Sequence, residues 1–286
     1  MDPGKLQTIS VFSYLNKIPS WALLSLAING LLILTIALLL PKGSEHAGDW
    51  QKSANLKKPA SVEAAAVPQR KVELGPRHRW TYEQWVNQLA REAKAVAENK
   101  PERLFVLAGD SITLWFPSEL LPPGKTWLNQ GISGETSTGL LKRLQLLDET
   151  DPETIFVLIG INDLIRGNSP DTVLENSRLI IREILWSHPN TQVVMQSILP
   201  HSAEGATWEG RDRLLAIPND TIRQMNGQLR AIAREENVYF LDLHPLFLAD
   251  NGNLRLDLTT DGLHLNRQGY WVWRSAIELF SEIELE

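Results

Sequence analysis

A serine in the middle of the chain, and an aspartate and a histidine close together near its C-terminus, lie in settings that suit nucleophilic chemistry. Ser111 follows an apolar run and a Gly-Asp pair, so a strand-to-helix turn there can present its hydroxyl group. Asp261 and His264 are three residues apart near the C-terminus, a spacing that predicts one side of a helical turn. The carboxylate can then orient the imidazole, whose other ring nitrogen can take a proton from a serine.

Two further turns could supply hydrogen-bond donors to such a site. Gly134 lies in a small-residue segment after the second apolar run, where its N–H could donate to a developing oxyanion. Asn162 follows the third apolar run and can donate through its side-chain amide. Each position also has an ordinary alternative: Ser111 as a helix N-cap, Gly134 in a βα turn capped by Thr136, and Asn162 in an Asx turn.

The remaining histidines offer no comparable arrangement. His201 follows the fourth apolar run, and we interpret it as a surface loop residue, although it could line the pocket. The loop over residues 200–218 carries Trp208, Arg211 and Arg213. It either shapes the substrate site or is a solvated loop, and the residues alone favour neither.

Apolar runs and helical periodicities alternate over residues 81–280. Strands are predicted at residues 104–108, 127–129, 154–159, 191–198 and 238–241. Helices are predicted at residues 81–100, 140–147, 171–187, 219–236 and 267–280. Because such strands are apolar on both faces, they predict a three-layer α/β/α sandwich with a five-stranded parallel sheet. Ligands of such sheets gather at the carboxyl ends of the strands, where Ser111, Gly134 and Asn162 fall.

The N-terminal part of the chain predicts a membrane anchor. No charged residue occurs between Lys17 and Lys42, and the run from Trp21 to Leu40 is mainly Leu, Ile and Ala. Twenty helical residues rise about 30 Å, the thickness of a bilayer core. The alternatives, a buried core helix or a cleaved signal peptide, fit the uniform apolarity and the length less well. We therefore expect four segments: a flank over residues 1–20, a transmembrane anchor over 21–41, a tether over 42–75 and a catalytic domain over 76–286.

The orientation of the anchor is a separate expectation. Two lysines precede the apolar run and four follow it within residues 42–58, which by simple count favours a cytoplasmic body. A long following domain can be translocated regardless of nearby charge. We expect the body on the non-cytoplasmic side.

Composition excludes several classes of function. The 286 residues carry a net charge of −6, which argues against a broad nucleic-acid-binding surface. The chain has no cysteine, so disulfides, thiolate metal sites and cysteine nucleophiles are excluded. We expect no metal and no organic cofactor.

The motifs together resemble one family. In chain order the sequence has Gly-Asp-Ser at 109–111, Gly134, Gly-Ile-Asn-Asp at 160–163 and Asp-Gly-Leu-His at 261–264. This set closely resembles the SGNH hydrolase superfamily, also called GDSL esterases and lipases, over about residues 102–280. The resemblance implies a flavodoxin-like α/β/α fold. It also implies Ser111 as the nucleophile, with His264 as general base and Asp261 orienting it. The oxyanion hole would be formed by Ser111, Gly134 and Asn162.

The resemblance also implies the reaction class. Similar proteins hydrolyse lysophospholipids, thioesters, simple esters and acetylated sugars, so we expect a membrane-anchored serine esterase acting on a small-molecule or lipid ester. One alternative is an acyltransferase or deacetylase acting on envelope polysaccharide, which shares the chemistry up to deacylation. Another is a catalytically silent binding module, against which the complete set of site residues argues.

Overall fold

The structure, a computed structural model, describes residues 80–285. Its centre is a sheet of five strands, all parallel, in the order β2-β1-β3-β4-β5. The strands are β1 (Leu104–Gly109), β2 (Thr126–Gly131), β3 (Pro152–Leu158), β4 (Gln192–Gln196) and β5 (Tyr239–Leu241). The predicted five-stranded parallel sheet is therefore confirmed.

Eight α-helices connect and flank the strands of the described region. They are α1 (Tyr82–Asn99), α2 (Ser111–Leu114), α3 (Ser137–Arg143), α4 (Ile161–Ile165), α5 (Pro170–Ser187), α6 (Arg211–Leu215), α7 (Asn219–Glu235) and α8 (Arg267–Ile283). The five longer predicted helices agree with α1, α3, α5, α7 and α8 to within a few residues. Helix α2 follows the strand-to-helix turn predicted at Ser111. Helices α4 and α6 were not predicted, because five residues are too few to show helical periodicity.

The middle of the sheet forms the hydrophobic core. All six residues of β1 are buried between its two neighbouring strands. The ring of Phe105 lies 5.2 Å from that of Trp127 and 6.3 Å from that of Phe156. Burial on both faces explains why β1 and β3 are apolar runs with little alternation of polar residues.

The strand order reverses at β1, which matters for the position of a site. Parallel connections are right-handed, so the β1–β2 connection lies on the opposite face from those that follow β2, β3 and β4. Helix α8 packs with the β1–β2 connection: the Tyr270 hydroxyl donates to the Ile112 carbonyl at 2.9 Å, and the Phe116 ring lies 5.0 Å from that of Trp273. Such a reversal opens a crevice at the carboxyl ends of the strands.

The predicted flank (1–20), anchor (21–41) and tether (42–75) lie outside the described residues, as do residues 76–79. Within residues 80–285, no helix combines the length and apolarity needed to cross a bilayer. The anchor therefore stays a prediction from sequence.

Candidate active site

Ser111 lies at the carboxyl end of the central strand β1 and begins helix α2. The cap of that helix is the preceding residue, Asp110, whose Oδ1 accepts from the Ile112 N–H at 2.9 Å. Ser111 is therefore not the N-cap, and its side chain does not perform that structural role. Its hydroxyl instead contacts His264, near the C-terminus.

The structure brings together the three residues predicted to carry the chemistry. The Ser111 Oγ lies 3.0 Å from Nε2 of His264, although 153 residues separate them. The Nδ1 of the same ring lies 2.8 Å from Oδ2 of Asp261. A base within hydrogen-bond reach of a hydroxyl, itself oriented by a carboxylate, is the geometry that activates a serine.

The Asp261–His264 segment is a loop turn, so the predicted helical turn is wrong. An isolated antiparallel bridge joins Thr259 to Leu265 across it, and Gly262 has φ +88°. The Asp261 Oδ1 accepts from the backbone N–H groups of Leu263 at 3.0 Å and His264 at 2.8 Å. Because the side chain of Asp261 takes these N–H groups, they do not form a helical backbone ladder.

The same hydrogen bonds determine the charge of Asp261. Burial opposes ionisation of this carboxyl, but bonds from the His264 ring and from two backbone N–H groups outweigh it and lower the pKa of Asp261. The carboxylate is therefore ionised near neutral pH, as required of a group that stabilises an imidazolium.

The loop over residues 200–218 supports this turn. The Ser202 N–H donates to the Gly262 carbonyl at 2.8 Å, and the N–H groups of Thr207 and Trp208 donate to the Asp261 carbonyl at 2.8 and 2.9 Å. The guanidinium of Arg213 lies 5.3 Å from the Trp208 ring centre, and that of Arg211 donates to the Glu204 carbonyl. The loop is therefore not simply solvated, because its backbone N–H groups hold the Asp261–His264 turn in place.

The prediction that His201 is a surface residue is wrong, since it is 1% exposed. Its Nε2 donates to the Ile217 carbonyl at 2.7 Å, and its Nδ1 accepts from the Ala203 N–H at 3.1 Å. Burial lowers the pKa of this imidazole, which favours the neutral form with one donor and one acceptor. The ring joins the two ends of the 200–218 loop, a long-range role that the adjacent proline did not reveal.

The two predicted amide donors lie at the carboxyl ends of the strands next to β1. Gly134 has φ +73°, a left-handed conformation that favours glycine. Asn162 is in α4 and is 9% exposed, and its Nδ2 is buried without a hydrogen-bond partner among residues 80–285. A buried donor without an acceptor lowers the stability of the folded protein. An unpaired donor at such a position is typical of a site in which a ligand atom accepts the hydrogen bond.

A buried carboxylate links the two loops that carry these donors. Asp163 is fully buried and accepts from the Ser137 N–H at 2.8 Å and from the Ser137 Oγ at 2.7 Å. Ser137 begins α3, whose N-cap is Thr136, so the predicted capping role of Thr136 in that turn is confirmed. Asp163 thereby fixes the α3 start against the α4 start.

A buried ion pair, which we did not predict, supports the loop over residues 132–136, the Gly134 loop, on its buried side. The carboxylate of Glu135 accepts from Arg143 Nε at 2.8 Å, with both side chains nearly inaccessible. Arg143 also donates to the backbone carbonyls of Gly109 and Gln130. On the accessible side, Arg166 Nη2 donates to the Gly134 carbonyl at 2.6 Å. No local pattern in the sequence marks these contacts, because the partners come from different elements.

Comparison with known proteins decides the family. The model of the GDSL-like Lipase/Acylhydrolase family matches residues 107–272, which is more than half of the chain. The chain belongs to this family. The resemblance inferred from the motifs is confirmed, and the protein is a GDSL-type ester hydrolase.

Individual relatives agree with this assignment. Platelet-activating factor acetylhydrolase IB subunit alpha1 from Bos taurus is 26% identical over 195 residues, covering 65% of this chain and 77% of that protein. A Streptococcus pneumonia structure described as a platelet activating factor has 26% identity and TM-score 0.61, covering 69% of this chain and 95% of that one. A GDSL-like lipase from Bacteroides thetaiotaomicron shares the fold, with 22% identity, TM-score 0.55 and coverage of 68% and 98%.

Proposed function

We propose that this GDSL hydrolase cleaves carboxylic esters with Ser111 as nucleophile and His264 as general base. The observation that carries the proposal is the 3.0 Å approach of the Ser111 Oγ to the His264 imidazole. As the Oγ bonds to the ester carbonyl carbon, its proton passes to Nε2 of His264. That proton then goes to the alcohol oxygen as the C–O bond breaks and an acyl-serine remains. Water, deprotonated by His264, then bonds to the acyl carbon. The bond from that carbon to the Ser111 Oγ breaks, the proton on His264 returns to the Oγ, and the acid is released.

In this proposal the oxyanion is stabilised by the N–H groups of Ser111 and Gly134 and by the side-chain amide of Asn162. The unsatisfied Nδ2 of Asn162 supports this role, since an oxyanion would accept from a donor that has no other partner in the described region. Donors fixed in advance act on charge that develops only in the transition state, so they lower the barrier without reorganising. Asp261 keeps the imidazole in the tautomer that can accept the serine proton.

We further propose a substrate class and a location. The curated relative is named an acetylhydrolase, which supports a short acyl group on a lipid, lysophospholipid or other small ester. A helix over residues 21–41 would hold the enzyme at a membrane and raise its local concentration near lipid or envelope esters. The catalytic body would lie on the non-cytoplasmic side.

The Ser111→Ala variant tests the function. We expect hydrolysis of p-nitrophenyl acetate to fall by about 10⁴-fold or more, because the nucleophile is lost. Labelling by a fluorophosphonate probe should disappear, while the thermal unfolding midpoint is kept. Ser275→Ala, which changes an exposed serine on α8, is the matched control and should keep both activity and labelling. Wild-type turnover in Ser111→Ala would refute the assignment, and a wild type that neither labels nor hydrolyses would indicate a silent module.

Two further measurements address the finer proposals. Product analysis with and without an acceptor sugar distinguishes hydrolysis from acyl transfer, because a sugar hydroxyl then replaces water in deacylation. Membrane fractionation of the full chain and of a chain beginning at residue 76 tests the anchor, which predicts that only the full chain sediments with membranes. Fusion of a reporter to the C-terminus tests on which side of the membrane the body lies. Activity of a reporter that works only in the cytoplasm would contradict the proposed orientation.

A further inference from the structure

A cavity of about 380 Å³ lies beside the Gly134 loop. Four of its nine lining residues are aromatic, and one is an exposed cationic side chain: Trp80, Tyr82, Trp85, Trp115 and Arg166. Its volume is within the range of pockets that hold small molecules. The mechanism above uses one residue of the wall, Gly134, so the rest of the cavity is available for a part of the substrate that does not react.

The cavity borders the candidate active site. Gly134, the proposed oxyanion donor, forms part of its wall. Trp115 caps the C-terminal end of α2, the helix that Ser111 begins, and its N–H donates to the Ser111 carbonyl at 3.0 Å. An ester whose carbonyl is held between Ser111 and Gly134 therefore has this cavity next to it, and a substituent on the ester can enter it.

The charge of the cavity is positive. Arg166 donates one N–H to the Gly134 carbonyl and forms no ion pair with any carboxylate in residues 80–285. The carboxylate in the wall, Glu135, is already bound by the buried Arg143 and accepts from the Tyr82 hydroxyl at 3.3 Å. The charge that remains for a ligand is thus that of the Arg166 guanidinium, whose fork of donors matches carboxylate and phosphate groups.

The aromatic walls limit which ligands fit. The rings of Trp80 and Trp85 meet edge to face with their centres 4.9 Å apart, and such rings pack well against hydrocarbon or the faces of other rings. A purely apolar group would cover the Arg166 guanidinium without pairing it, which is unfavourable. A cationic group would gain from the rings but would be repelled by Arg166. A ligand with an apolar or ring-shaped body and a negative charge satisfies both parts.

We propose that this cavity is a specificity site that selects ester substrates carrying an anionic group, a carboxylate or a phosphate. Arg166 binds the anion, and the indole rings pack on the portion that joins it to the ester. The proposal rests on the esterase function proposed above, because it concerns a second part of the same substrate.

The test compares matched esters that differ in charge. p-Nitrophenyl butyrate and mono-p-nitrophenyl succinate differ by a carboxylate on the acyl side. Methyl 4-acetoxybenzoate and 4-acetoxybenzoate differ by a carboxylate on the alcohol side, and 4-acetoxyphenyl phosphate replaces the carboxylate by a phosphate. The measured quantity is the ratio of kcat/KM for an anionic ester to that for its neutral partner, in wild type and in variants of Arg166.

We expect Arg166→Gln to lower this ratio at least tenfold for one of the anionic esters, mainly through a higher KM. The glutamine amide can still donate to the Gly134 carbonyl, so the neutral esters should change much less. Arg166→Lys keeps the charge and should retain part of the preference. Arg234→Gln removes an exposed arginine in the last turn of α7, which is not part of the cavity wall, and should leave every ratio unchanged.

A second measurement needs no variant. Raising the ionic strength should lower kcat/KM of the wild type for the favoured anionic ester and leave its neutral partner unchanged. An equal loss on all esters in Arg166→Gln, or a wild-type ratio indifferent to salt, would overturn the proposal and reduce Arg166 to a support of the Gly134 loop. Failure of the wild type to hydrolyse any ester would instead refute the esterase function.

Discussion

Two carboxyl groups near the serine and the histidine have opposite pKa shifts. Asp110, next to Ser111, is fully buried, and burial raises its pKa to about 7 against the hydrogen bond from Ile112 that lowers it. Asp261, next to His264 in space, is less buried, and three hydrogen bonds lower its pKa in spite of burial. Asp110 therefore keeps its proton below about pH 7 and is roughly half ionised there, whereas Asp261 is ionised at neutral pH.

The difference shows how each half of the site is built. The Ser111 half is fixed by regular elements, a buried central strand and a helix that starts at its end, so it needs no charge to hold its shape. The histidine half is an irregular turn in which the Asp261 carboxylate itself bonds to the Leu263 and His264 N–H groups and to the ring. Substitutions in the two halves should therefore fail in different ways.

Among the substitutions that distinguish the two halves, the largest effect is expected for Asp261→Asn, which removes the charge that organises the histidine half. Without it the imidazole loses the partner that sets its tautomer and stabilises its cation, so kcat should fall by about 10⁴-fold. Steady-state kinetics with p-nitrophenyl acetate gives the value. A loss smaller than tenfold, in a variant that unfolds like wild type, would show that Asp261 does not orient the base.

Asn162→Ala tests the other half of the site, because Asn162, like Ser111, follows the carboxyl end of a strand. Removing one oxyanion donor should lower kcat by roughly 10²–10³-fold with little change in KM, because the bond forms with charge in the transition state. The measurement is the separate determination of kcat and KM. A rise in KM at constant kcat would instead assign Asn162 to ground-state binding.

Asp110→Asn sharpens the contrast through stability. Since the folded pKa of Asp110, about 7, is above the ordinary value of 3.8, its contribution to stability is fully present below pH 3.8. That contribution is lost as pH rises through about 7. An asparagine does not ionise, so the variant does not lose this stability. Its free energy of unfolding, relative to that of wild type, should rise between pH 4 and pH 8 by at most about 4 kcal/mol, at 1.36 kcal/mol per pKa unit. Urea unfolding at both pH values measures the gain, and an equal difference at the two would contradict the buried, raised carboxyl.

Thr259→Val should have the smallest effect and tests the turn itself. The Thr259 Oγ donates to the His264 carbonyl at 2.5 Å and accepts from the Gly262 N–H at 2.8 Å. Valine leaves the Gly262 N–H unpaired, and the His264 carbonyl keeps only its bonds from Thr260. We expect kcat to fall roughly tenfold, as a loss of about 1.4 kcal/mol in positioning would give. Thr259→Ser keeps the hydroxyl and should restore kcat. If valine and serine behaved alike, the hydroxyl would have no role in positioning His264.

The fold was predictable because its signals are local. Apolar runs of strand length, separated by helical periodicity, indicate a parallel sheet wherever they occur, and β1, β3 and β4 are buried along nearly their whole length. Helices α4 and α6 were missed because a turn of helix carries no periodicity. The helical reading of the Asp261–His264 spacing was wrong because the side chain of Asp261, and not the backbone, accepts the N–H groups there.

The sequence by itself determined the sheet and its strand ends. It also determined the residue types available for chemistry, since periodicity and motif order are properties of neighbouring residues. Only the tertiary structure decided that His264 meets Ser111, that the 200–218 loop holds the histidine turn, and that His201 is buried. It also placed Arg166 and the three tryptophans around one cavity. These contacts join residues distant in the chain, so their energy comes from burial and hydrogen bonds that exist only once the elements have packed.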